Sequence, residues 1–132
     1  MKASEIKELA ELQDKCGYHD ANKARFKTLA MKLLRATAKA AGLAPATYDI
    51  RFNAGGIAVS GEATLHAENV YVQVSADVGF GGGMCVLVRT CKGRKDYAGG
   101  ANQWYPLARL ADKGAEGLGE FVARVAAQSV AV

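Results

Sequence analysis

Cations, aromatics and amides converge in one stretch of this chain. Residues 91–105 read Cys-Lys-Gly-Arg-Lys-Asp-Tyr-Ala-Gly-Gly-Ala-Asn-Gln-Trp-Tyr, which gathers Lys92, Arg94, Lys95, Tyr97, Asn102, Trp104 and Tyr105 in one segment. Arg and Lys bring charge and N–H donors suited to phosphate or carboxylate. Trp and Tyr bring flat stacking faces, and Asn and Gln side chains match base edges or backbone amides. Long connections in compact domains are uncommon and often form binding surfaces. The chemistry implied is recognition of an anionic partner, nucleic acid or a nucleotide. In the competing reading Trp104 and Tyr105 plug a sheet edge, while Arg94 and Lys95 are merely solvated.

A second basic feature lies nearer the start. At 100° per residue, Arg25, Lys32, Arg35 and Lys39 fall within about 80° of one another, opposite the apolar stripe Phe26, Leu29, Ala30, Leu33, Leu34, Thr37 and Ala41. A charged, solvated helix face is the ordinary meaning of such a pattern. It gains weight as a binding surface only if this face and the 92–105 loop share one side of the fold.

Catalytic chemistry finds less support. The cluster 79–83 (Gly-Phe-Gly-Gly-Gly) invites a phosphate-loop reading, but such loops open a helix, whereas this one precedes a strand-like run, and no Gly-Lys-Ser/Thr follows. A hairpin tip fits better, with Phe80 either inserting into a partner or folding back over the sheet. Cys16 and His19 are a short-range Cys/His pair at a helix end, a place that rarely aims both groups at one substrate atom. His66 stands on the polar side of its strand beside Glu62 and Thr64, so it reads either as a base oriented by a carboxylate or as part of a solvated sheet face. Nothing marks Glu62 or Glu68 as a raised general acid. Two His and scattered carboxylates form no metal-ligand cluster, and no cofactor is implied. We read the chain as not an enzyme.

Composition sets the frame for these groups. The 132 residues (13.9 kDa) fit one domain, 1–132, with 50% hydrophobic residues, 15 Gly and only 2 Pro. A chain of this size needs neither disulfides nor metal to fold, and Cys16, Cys85 and Cys91 read as buried reduced thiols. The net charge of +4 divides as +4 over residues 1–46, −2 over 47–91 and +2 over 92–132. No apolar run reaches the ~18–20 residues that span a bilayer, and the charged first twelve residues do not read as a signal peptide. The expectation is a cytoplasmic protein without a membrane partner.

The elements that must position the site follow from periodicity. Ser4 caps a first helix that Gly17 ends, and a second runs from Asp20 to Ala41 with Gly42 as its stop. Beyond Pro45 the period becomes two. We read strands over 47–53, 57–66, 70–76 and 84–91, the last a nearly continuous apolar run and therefore the most buried, central strand. Pro106 suits the first turn of a helix, and Leu107, Leu110, Phe121, Val122 and Val125 predict one or two C-terminal helices interrupted near 114–119. The predicted architecture is α+β: two N-terminal helices, a four-stranded antiparallel meander, and a C-terminal helix or helix pair packed with them on one face. The weakly charged polar sides of strands 57–66 and 70–76, with apolar Val130, Ala131 and Val132, suggest a homodimer.

Three runs, Gly61–His66 (Gly-Glu-Ala-Thr-Leu-His), Val70–Ser75 (Val-Tyr-Val-Gln-Val-Ser) and Arg89–Asn102 with its core Cys-Lys-Gly-Arg-Lys-Asp-Tyr, together resemble small uncharacterised accessory proteins of tailed phages. The likeness covers about residues 56–105. It implies a context, the binding and blocking of a host component such as a defence system, and transfers no catalytic residue. The leading expectation is thus a non-enzymatic phage-type binding protein that takes an anionic partner through the loop and the basic helix face. The runner-up is a protein-binding, anti-CRISPR-like inhibitor of a host defence complex, using the same loop with Phe80. A small enzyme built on His66 or Cys16 comes third.

Overall fold

The computed structural model describes residues 1–15, 20–53, 61–75, 85–96 and 99–130. Three helices, α1 (Ala3–Lys15), α2 (Asp20–Ala40) and α3 (Leu107–Val130), stack on one side of a sheet. The sheet consists of β1 (Tyr48–Asn53), β2 (Glu62–Ala67), β3 (Val70–Ser75), β4 (Cys85–Thr90) and β5 (Gln103–Pro106), antiparallel throughout and in sequential order. The α+β class and the one-sided helix layer agree with the sequence reading, but there are five strands and not four. Among the described residues no helix is long and apolar enough to cross a membrane.

The fifth strand lies in what reads as loop. Its four residues are too few to show a period, and Pro106 resembles a helix start although it closes β5, with α3 beginning one residue later. A proline is tolerated there because β5 is an edge strand. The position of 84–91 also needs correcting. β3 occupies the middle of the sheet, and β4 lies one strand from the edge. Its run is continuously apolar because Val86 and Val88 face the helices while Leu87 faces the other way, 8% exposed.

The core forms between the helix layer and one face of the sheet. Register stacks Ile50, Leu65, Val72 and Val88 in one row across four strands, flanked by Ala63 and Val74 on one side and Ala67 and Val70 on the other. Against them α2 presents Phe26, Leu29, Ala30, Leu33 and Leu34, the stripe expected from its 3.6-residue period. Ile6, Leu9 and Leu12 of α1 and Leu110, Leu118, Val122 and Val125 of α3 complete the cluster. Gln13 is wholly buried in this layer, and its Nε2 donates to the Ser75 carbonyl (2.7 Å), which ties α1 to the end of β3. Helix α2 finishes with Gly42 N–H on Lys39 O (3.1 Å) and Leu43 N–H on Ala38 O (3.0 Å), which satisfies those two carbonyls of its last turn. Gly114 divides α3 at a left-handed φ of 68°, the interruption anticipated near 114–119.

Candidate functional site: the open face of the sheet

Alternate residues of every strand point away from the helices. Register aligns them in rows. Arg51, Thr64, Gln73, Leu87 and Trp104 form one row across all five strands. One step along the strands, Asp49, His66, Tyr71 and Arg89 form a second. On the other side of the first row stand Asn53, Glu62 and Ser75.

The second row is roofed by the chain that leaves β4. Arg94 reaches across the sheet to Asp49, with Nε on Oδ2 (3.1 Å) and Nη2 on Oδ1 (2.9 Å), while its Nη1 donates to the Ala46 carbonyl (3.1 Å). Planar two-point pairing of this kind fixes orientation as well as charge. The Lys92 N–H donates to Asp96 Oδ2 (2.9 Å), and Asp96 N–H returns to Gly93 O (3.1 Å), so residues 92–96 form a closed turn. Gly100 N–H bonds to Thr90 O (2.9 Å), and a side chain at Gly99 would collide with that same carbonyl. Glycine is required there because the strap lies directly on the β4 backbone.

Beneath the strap, His66 is 1% exposed and Tyr71 5%, although both belong to the face without helices. Their rings meet edge to face, 5.1 Å apart at 81°, and the Arg89 guanidinium lies 4.3 Å over the Tyr71 ring. The Tyr71 hydroxyl donates to Gln73 Oε1 (2.8 Å), and Gln73 Nε2 donates to Ser75 Oγ (2.8 Å). Burial pushes the His66 pKa below its ordinary value; nearby Arg51 and Arg89 push the same way, against the backbone of Gly93 beside the ring. The solvated face expected for His66 is therefore corrected: the strap shuts the imidazole away from water. Cys91 is buried at the root of the strap with Sγ 3.3 Å from the Ala67 carbonyl, and burial raises its pKa, which keeps it a thiol at neutral pH.

The sequence-derived residues divide accordingly. Arg94 is engaged with Asp49, whose carboxyl it holds below the usual range, chiefly through that hydrogen bond. Tyr105 is 1% exposed, faces α3 and packs on Phe121 (5.2 Å between rings). Trp104, its neighbour, is 53% exposed, the one large apolar side chain left in water among the described residues. The two aromatics thus have opposite roles, which follows from the alternation of a strand. Lys92, Lys95 and Asn102 are exposed. Tyr97 and Phe80 lie outside the described residues, as do Cys16 and His19.

The basic helix face belongs to the other layer. On α2, Arg25 pairs with Glu8 (2.7 Å) and Lys32 with Glu5 (2.6 Å), both acids from α1. The Lys32 ammonium, helped by the Lys2 N–H, draws Glu5 down to about 2. Arg35 and Lys39 are exposed. This face and the strap lie on opposite sides of the sheet, so one compact ligand does not touch both.

Arg51, Gln73, Leu87 and the Tyr71–Arg89 pair are additions that sequence reading did not single out. Period-two alternation put Gln73 and Tyr71 on a polar side, but only strand register shows what stands beside Trp104. Comparison with protein families, curated proteins and solved structures finds no match.

Proposed function

We propose that this chain is a non-enzymatic binding protein that holds single-stranded nucleic acid against the open face of its sheet. One observation carries the reading: Trp104 stands half in water on the sheet face away from the helices, while Tyr105 beside it in the same strand is fully buried. A base stacks on such an indole without regard to sequence, a contact worth about 1–3 kcal/mol. Arg51 shares the Trp104 row, and Lys92 and Lys95 on the strap supply cations for phosphates. Asn102, exposed just before β5, supplies an amide for base edges. The strap is the scaffold of this surface; Arg94 fastens it and does not itself meet the ligand.

A second reading, a protein-binding inhibitor of a host complex acting in the host cytoplasm, draws on charge balance. Asp49 takes up both Arg94 and Arg51 (3.1 Å to the latter), which lowers the net field of the face. A half-exposed Trp beside Leu87 also suits a protein hot spot. The phage likeness of residues 56–105 supports either partner. A third reading, an enzyme based on His66, requires the strap to lift.

Anisotropy of a labelled fifteen-nucleotide oligo-dT at low salt tests the proposal. Binding should weaken roughly 5- to 150-fold in Trp104→Ala, the range of one lost stacking contact. Lys92→Ala/Lys95→Ala should weaken binding and flatten its salt dependence. Absence of binding to both oligo-dT and oligo-rU at low salt would contradict it.

A further inference from the structure

The two edges of the sheet are not alike. β5 is four residues long and ends in Pro106, which blunts it. β1 is six residues long, contains no proline, and among the described strands stands at the other edge, paired with β2. Such an edge is a template for another strand, and most proteins guard it with like charges or kinks.

The charges on β1 do the opposite of guarding. Tyr48-Asp49-Ile50-Arg51-Phe52 is chemically symmetrical about Ile50: aromatic, acid, aliphatic, base, aromatic. We propose that β1 pairs antiparallel with β1 of a second copy, about a two-fold axis through Ile50, to form one continuous ten-stranded sheet. In an antiparallel pair, residues directly opposite share a face. The axis therefore sets Asp49 against Arg51 of the other copy, twice, on the open face. On the helix face it sets Tyr48 against Phe52, twice, with Ile50 against itself. Tyr48, Ile50 and Phe52 are half-buried, partly packed on the core, with apolar surface still to cover.

No neighbouring register does as well. Moving the axis to Arg51 opposes two guanidinium groups, and moving it to Asp49 opposes two carboxylates. Arg51 is 45% and Asp49 36% exposed at the side chain, so both are within reach of a second copy, and the cross-copy pair would extend the ion network that already joins Asp49 to Arg94. The backbone sets no obstacle, because a two-fold at Ile50 pairs whichever alternate N–H and C=O groups point outward. The proposal shares Arg51 with the proposed nucleic-acid surface but does not rest on that reading.

Sedimentation equilibrium of the full chain between about 1 and 200 μM, with circular dichroism as a check on folding, tests this directly. The wild type should dimerise. Arg51→Glu opposes acids in both pairs, Asp49→Lys opposes bases, and each should raise the dimer dissociation constant at least tenfold. Mixed one to one, the two variants regain Asp49 against Arg51 and Glu against Lys, so a heterodimer should form within about threefold of wild-type affinity. Arg51→Glu leaves the Arg94–Asp49 pair in place and remains readable if Asp49→Lys fails to fold. In that event Ile50→Cys should cross-link under mild oxidation, since Cα atoms opposed across a ladder lie within disulfide range. A wild type that stays monomeric, a dimer indifferent to Arg51→Glu, a mixture of folded variants that does not associate, or an Ile50→Cys chain that does not cross-link would overturn the proposal.

Discussion

Arg94 grips Asp49 from 45 residues further along the chain, through two N–H···O bonds of 3.1 and 2.9 Å. That pair turns the most conspicuous loop of the sequence into a strap across the sheet, and it decides which of the loop's cations are free to meet a partner.

Replacing Arg94 and replacing Lys95 should therefore differ, although both read as loop cations in the sequence. Arg94→Ala removes a partly exposed two-point pair and a bond to the Ala46 carbonyl, and should cost about 1 kcal/mol after allowance for solvent screening. Lys95→Ala should change stability by less than about 0.5 kcal/mol. Urea denaturation of the two variants measures the difference, and equal midpoints would deny the strap its anchor.

The neighbouring aromatics should separate even more clearly. Tyr105→Ala empties a fully buried site against Phe121 and should lower stability by about 3–5 kcal/mol. Trp104→Ala, from a half-exposed position, should cost less than about 1 kcal/mol. Thermal melts of both variants decide whether β5 faces as described.

His66 gives the fold a mild acid sensitivity. Its folded-state pKa lies below the ordinary 6.5, mainly because burial disfavours the charged ring. The unfolded chain therefore takes up the proton more readily. This contribution to stability is whole above about pH 6.5 and is lost as the pH falls below it. Asp49, depressed by Arg94 from an already lower starting value of 3.8, loses its contribution only at more acid pH. Stability measured from pH 7.5 to 5 should fall, and the slope should flatten in His66→Gln.

At Gly114 the left-handed φ of 68° places the break in α3, and nothing lies within 4 Å of where a Cβ would be. With ψ at −168° the backbone there is one that only glycine adopts readily, so Gly114→Ala should cost about 1–3 kcal/mol from conformation alone, with no clash to relieve. A neutral or stabilising result in a denaturation series would remove the conformational explanation of the kink.

The sequence and the structure agree where periodicity is long. The α2 stripe from Phe26 to Thr37 and the alternation of Val70, Val72 and Val74 appear in the fold as read, because six or more residues repeat one pattern. Strand β5 was illegible, since four residues ending in a proline carry no period. The burial of His66 was illegible for a different reason. Its strand alternates correctly, but a loop from elsewhere in the chain covers the polar side, and local pattern cannot report that. The candidate site was legible in part. Trp104, Lys92, Lys95 and Asn102 were visible by composition, whereas Arg51, Gln73 and Leu87 join them only through cross-strand register.

Because the chain contains 1 Trp, its intrinsic emission reports Trp104 alone. Titrating the protein with unlabelled oligo-dT at 50 mM and at 200 mM salt, while following that emission, tests the proposed surface at its centre. Stacking predicts quenching that saturates, with an affinity falling as salt rises; two to three phosphate contacts correspond to a log–log slope of about −1.4 to −2. Emission that stays unchanged through saturating oligonucleotide at 50 mM salt would contradict the account.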